Sequence, residues 1–203
     1  MNAIVRETEK IGNRAGRVTL VWWIPAEFWQ AALTAAGTIP ADKVKEIVGT
    51  ISDINVVAVV DGKVGGLGQV EFVPQAELEK SLSAIDSQGK PLLMIPESKQ
   101  STATKNLLGM MKPMMANMMG DLGKSLSFFV FEGKNKDGSR RFDPTKPGLL
   151  MVRLSGEEFR WRLPLGSLLP EKICPKCNET LPGNYVFCPF DATLLKERDG
   201  QKH

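Results

Sequence analysis

The run INVVAVVDGKVGGLGQVEFV, residues 54–73, constrains the fold of this chain most. Asp61 and Gly62 sit between two apolar, β-branched runs, a pattern that predicts two strands joined by a tight turn at that dipeptide. Gly65, Gly66 and Gly68 then fall in the return strand, where glycine marks a bulge or a close backbone approach. VGGLG does not make a phosphate loop. It lacks the strand–glycines–helix order and the acidic residue further on that such loops use.

The neighbouring segments fit one scheme. VTLVWW reads as a strand, and PAEFWQAALTAAG as a helix entered at Pro25 and stopped at Gly37. ADKVKEIVG, after Pro40, is a second short helix, PQAELEKSL a helical turn, and residues 100–122 are helical by pattern. SLSAIDSQGKPLLMI reads as strand–turn–strand, LSFFVFEG as a strand, and LLMVRLSGEEFRWRL as a hairpin with an SG-centred turn. Helical stretches mixed with hairpins, with no βαβα rhythm, predict an α+β fold with a mostly antiparallel sheet and a few packed helices. Hydrophobic residues make up 42% of the chain, enough for a sizeable core. Trp22, Trp23, Phe28 and Trp29 are expected within it.

All three cysteines, Cys174, Cys177 and Cys188, lie in the last 30 residues. Odd and clustered, they argue for metal binding in a reducing compartment, hence the cytoplasm. The oxidised alternative is a Cys174–Cys177 disulfide in an exported protein. Overlaid at an offset of 14, ICPKCNETL aligns with FCPFDATLL: Cys174 with Cys188, Pro175 with Pro189, Cys177 with Asp191, Leu181 with Leu195. Each half has the form apolar-Cys-Pro-x-ligand, a stiff turn that aims two side chains at one ion. Between them, Pro182, Gly183 and Asn184 suit a hairpin.

This segment resembles the zinc-ribbon family. The resemblance implies one structural zinc per chain held by Cys174, Cys177, Cys188 and Asp191, with aspartate where a cysteine is usual. That carboxylate makes the site harder and weaker. Two alternatives stand beside Asp191: His203, the chain's only histidine, and a ribbon that holds no metal. The expected organisation is a flexible N-terminal arm (1–17), an α+β domain (18–168), a ribbon-like segment (169–198) and a tail (199–203).

Other features are less specific. MMKPMMANMMG (110–120) places its methionines on one half of a helix. Such a face packs on a sheet, or serves as an adaptable groove for a partner. KNKDGSRRFDPTK and the alternating FRWRL bring Lys134, Lys136, Arg140, Arg141, Lys146, Arg160 and Arg162 into one region, with Arg160 and Arg162 facing away from Trp161. The formal net charge is only +3, so any contact with phosphate would be local. Residues 1–17 contain no apolar stretch of the kind secretory signals use, and LVWWIPAEFW is too short to cross a bilayer.

With the one histidine near the C-terminus, histidine-based acid–base and triad chemistry have no partners. The functional expectation is a non-enzymatic interaction or regulatory module with a protein partner. The alternatives are nucleic-acid binding through the ribbon and the basic 134–162 region, and an enzyme with an unrecognised site in the main domain.

Overall fold

The computed structural model describes residues 2–196. At its centre lies strand β3 (Ile54–Val64), flanked by β2 (Arg17–Ile24), with β1 (Glu9–Ile11) beyond it. On the other side, β4 (Val70–Phe72) and β6 (Ser127–Glu132) pair with successive parts of β3, all antiparallel. A second sheet has the order β5 (Leu82–Ile85), β7 (Gly148–Leu154), β8 (Glu157–Leu163). The helices are α1 (Asn2–Thr8), α2 (Ala26–Ala36), α3 (Ala41–Ser52), α4 (Gln75–Ser81), α5 (Thr102–Met119) and α6 (Asp121–Lys124). The fold is α+β and mostly antiparallel, as expected, with six helices among the described residues.

Residues 56–60 are apolar without alternation because the central sheet is covered on both faces. Side chains alternate along a strand, so Val56, Ala58 and Val60 join Trp22, Phe28, Leu107 and Met111 in a cluster shared with the helices. Val57 and Val59 turn the other way, onto Trp23, Phe129, Leu150 and Trp161 of a cluster shared with the second sheet. The result is three layers: helices, five-stranded sheet, three-stranded sheet.

The turn expected at Asp61–Gly62 is not there. β3 runs straight through both residues, and the chain reverses at Gly65–Gly68, where the Gly68 amide donates to the Gly65 carbonyl (2.9 Å) and Gly68 takes φ +82°. The physical reason is Asp61. Its side chain is fully enclosed and accepts hydrogen bonds from Thr19 Oγ1 (2.8 Å), Arg17 Nε (3.0 Å) and Arg14 Nη2 (3.3 Å). A carboxylate so held belongs to the sheet, because an enclosed charge is tolerated only when paired and hydrogen-bonded. Gly62 is needed for a different reason. A Cβ there would meet Val70 Cγ1 at 2.6 Å.

The N-terminal arm is also ordered, contrary to expectation. Ile4 and Thr8 are buried, and β1 pairs with β2. Thr8 anchors two indoles: Trp22 Nε1 donates to its hydroxyl (3.0 Å) and Trp161 Nε1 to its carbonyl (2.7 Å). Near the other end of the main body, the Glu7 carboxylate accepts the amides of Gly166 (2.8 Å) and Ser167 (2.9 Å). The arm therefore holds the linker that leads to the C-terminal segment. No described helix is long and apolar enough to cross a membrane.

Candidate metal centre

The C-terminal segment consists of two superposable turns. In the first, the Asn178 amide donates to the Cys174 carbonyl (3.0 Å) and the Cys174 amide to the Glu179 carbonyl (2.9 Å). In the second, the Ala192 amide donates to Cys188 (2.9 Å) and the Cys188 amide to Thr193 (2.8 Å). Asn178 and Ala192 share a left-handed backbone, φ +60° and +58°. Strands β9 (Lys172–Ile173) and β10 (Thr180–Leu181) pair through Ile173 and Thr180, and Phe187 bridges Leu194 in the same way. Each of these equivalences keeps the offset of 14 found in the sequence.

The turns bring Cys174, Cys177, Cys188 and Asp191 together, with one ligand atom from each within 4.8 Å of the others. Cys177 Sγ lies 3.6 Å from Cys188 Sγ, and Cys174 Sγ lies 3.5 Å from Asp191 Oδ2. Four donors this close, from two stiff turns, form a group that can hold a metal ion. Cys174 and Cys188 are buried and Cys177 is exposed. His203 and the expected tail 199–203 lie outside the described residues.

Local electrostatics favour anionic donors at two of the four positions. Hydrogen bonds from the Thr193 backbone amide (2.9 Å) and side chain hold the Asp191 carboxyl well below the usual carboxylate range. Burial raises the Cys174 thiol, but backbone amides of Cys177 and Lys176 outweigh it and bring that thiol below its ordinary value. Cys177 moves the other way. The Glu179 backbone favours its thiolate, yet burial and the neighbouring Cys174 and Cys188 sulfurs push it up to about 12. Crowded thiols of this kind deprotonate together only when a cation neutralises them.

The segment has little else to hold it. Its core is Cys174, Leu181, Cys188 and Leu195. It docks on the body through its hairpin: Asn184 Nδ2 donates to the Pro164 carbonyl (3.2 Å), and Gly183 lies so close to the linker that a Cβ would meet Pro170 O at 2.4 Å.

The methionine and basic features turn out differently. Pro113 lies inside α5, which is continuous from Thr102 to Met119. Met111 and Met115 are buried beside Leu107 and Leu108, whereas Met110 and Met114 are exposed. The methionine face is therefore split between core and solvent. A groove of about 240 Å³ along α5 is lined by Lys105, Leu108, Gly109 and Lys112. Most of the basic side chains of 134–162 are ion-paired: Lys134 with Asp53, Arg140 with Glu27, Arg141 with Asp86 and Glu132, Lys146 with Asp143, and Arg160 with Glu158. Arg160 and Arg162 point outward and Trp161 inward, as the alternation predicted.

Sequence reasoning missed two groups. The Arg14–Arg17–Asp61 cluster was signalled only by a lone acid in an apolar run. Tyr185, Phe187 and Phe190, the only exposed aromatic side chains among the described residues, all lie on the C-terminal segment, and their placement beside Cys188 could have marked them.

No family model matches the chain, and no curated protein matches it. A solved structure of a DUF4426 family protein from Pseudomonas aeruginosa PAO1 is similar at 15% identity over 77% of this chain and 94% of that one. Its TM-score is 0.31, too slight a likeness to carry an argument. What the fold and site define is an α+β protein ending in a three-cysteine, one-aspartate cluster able to hold a metal ion.

Proposed function

We propose that this chain is a non-enzymatic interaction or regulatory module, in which a structural zinc ribbon at the C-terminus carries the recognition surface for a protein partner. The donor geometry supports zinc. A tetrahedral zinc with Zn–S near 2.3 Å sets sulfurs about 3.8 Å apart, and with Zn–O near 2.0 Å sets sulfur and oxygen about 3.5 Å apart. The corresponding distances here are 3.6 Å and 3.5 Å. Four protein donors fill a tetrahedron, which is the pattern of a structural rather than a catalytic site.

The observation that carries the interaction reading is the ribbon's surface. Ile173, Tyr185, Val186, Phe187, Phe190 and Leu194 are all exposed on a segment of about 25 residues. Phe190, 70% exposed, stands at the tip of the second knuckle, where the first carries Lys176. The test is affinity capture with the zinc-loaded chain, the chelated chain and Phe190→Asp as parallel baits. The account predicts a partner retained only by the first. Identical captures by all three would contradict it.

A second reading, nucleic-acid binding, is favoured by the same aromatics. Exposed rings beside lysines, here Lys172, Lys176 and Lys196, suit stacking of unpaired bases. Salt-dependent binding of single-stranded probes, lost in Lys176→Ala with Phe190→Ala, would support it. No anisotropy change at low salt would dispose of it. Arg140 and Arg141 are poor test positions because both hold carboxylates of the body.

A further inference from the structure

We infer that Cys177 is an oxidative modification site whose partner is Cys188, so that a hydroperoxide converts these two donors to a disulfide and releases the ion. The inference rests on the zinc reading above and adds a regulation of that site. Three observations carry it. Cys177 is the only exposed cysteine, whereas Cys174 and Cys188 are 0% and 2% exposed. An oxidant arriving from solvent therefore meets Cys177 first. Cys188 Sγ lies 3.6 Å from Cys177 Sγ, within reach of the small shift a disulfide needs. Lastly, the segment's own core is four side chains, two of them cysteines.

The Cys177 thiolate attacks the terminal oxygen of the hydroperoxide. The O–O bond breaks, sulfur loses two electrons to give a sulfenic acid, and the departing alkoxide takes a proton and leaves as alcohol. The Cys188 thiolate then attacks the Cys177 sulfur. An S–S bond forms, the S–O bond breaks, and hydroxide leaves with a second proton as water. Two thiolates, one hydroperoxide and two protons become a disulfide, an alcohol and a water. Cys174 and Asp191 remain, two donors where a structural zinc needs four. A reductant that restores both thiols restores the site.

This pairing differs from the oxidised alternative read in the sequence, a Cys174–Cys177 disulfide. The structure buries Cys174 and places its sulfur against the Asp191 carboxylate.

The experiment uses the reduced full chain, with zinc content measured first. Hydrogen peroxide is added with a chromogenic chelator present, and disulfides are mapped by peptide mass spectrometry. The expected result is release of the bound zinc with loss of two thiols per chain, a Cys177–Cys188 disulfide and Cys174 reduced. Thiol reductant should reverse all three. In Cys188→Ser, a sulfenic-acid trap should label Cys177. A Cys174–Cys177 disulfide, first labelling of another cysteine, or zinc retained under peroxide that fully oxidises the denatured chain would overturn the inference. A chain with no zinc at the start would overturn the zinc reading alone, because the disulfide map still reports which cysteines pair.

Discussion

The main body and the C-terminal segment are held together by different physics. The body packs two clusters of eighteen buried residues each onto opposite faces of one sheet. The segment has a cluster of four. At about 25 cal/mol per Å² of apolar area, the first needs nothing but its side chains and the second cannot order its own backbone. The body also buries a charge and satisfies it with protein, at Asp61. The segment gathers four acidic donors that could share a metal ion, which is what the zinc reading proposes. On that reading, removing the ion should melt one region and leave the other standing.

Substitutions in the body should break that contrast least and stability most. Trp161→Ala removes a buried ring and the indole bond to Thr8. It should cost about 3–5 kcal/mol in urea unfolding while leaving zinc stoichiometry unchanged. Next comes Asp61→Asn, which leaves Arg14 and Arg17 facing an uncharged amide and should cost about 3 kcal/mol at neutral pH. Burial raises the Asp61 carboxyl, but Arg17, Thr19 and Arg14 outweigh it, so its folded-state pKa lies below the ordinary 3.8. A lowered pKa stabilises the fold fully above the unfolded value and loses that contribution as pH falls through the folded one. The gap between wild type and Asp61→Asn should thus be constant from pH 7 to about pH 5 and close in acid. A gap unchanged at pH 2 would contradict the assignment.

In the segment, effects should appear in metal affinity instead. Asp191→Cys supplies a fourth soft donor and should tighten zinc by about tenfold or more, read by chelator competition, with the body's unfolding midpoint unmoved. The smallest effect is expected at Ala192, which adopts φ +58° where the equivalent knuckle has Asn178. Left-handed backbone costs a non-glycine residue about 1 kcal/mol. Ala192→Gly should recover part of that as a modest gain in zinc affinity, and Asn178→Ala should lose a comparable amount.

The same contrast explains what the sequence made legible. The three-cysteine, one-aspartate cluster is encoded locally: cysteine, proline and turn recur at a fixed offset, so its four members could be named from about 20 residues. Helix α2 was legible for the same reason, entered at Pro25 and ended by Gly37 in a left-handed cap. The turn after β3 was not. A DG dipeptide between apolar runs favours a hairpin locally, but Asp61 answers to Arg14, Arg17 and Thr19, more than 40 residues earlier. The N-terminal residues looked polar and loose because their order comes from the indoles of Trp22 and Trp161, the latter 153 residues away. In α5 the methionines share one helical face by periodicity, yet the sheet covers only part of it. Periodicity defines a face; the neighbouring layer decides how much of it is buried.

The most direct measurement of the central claim is amide hydrogen exchange on the zinc-loaded and the chelated full chain. The account predicts that chelation collapses protection at Cys174, Asn178, Cys188 and Ala192, whose amides close the two knuckles. Val57 and Val59 in β3 should keep theirs. Knuckle amides that stay protected after complete removal of metal would contradict the account, as would a body that unfolds with them.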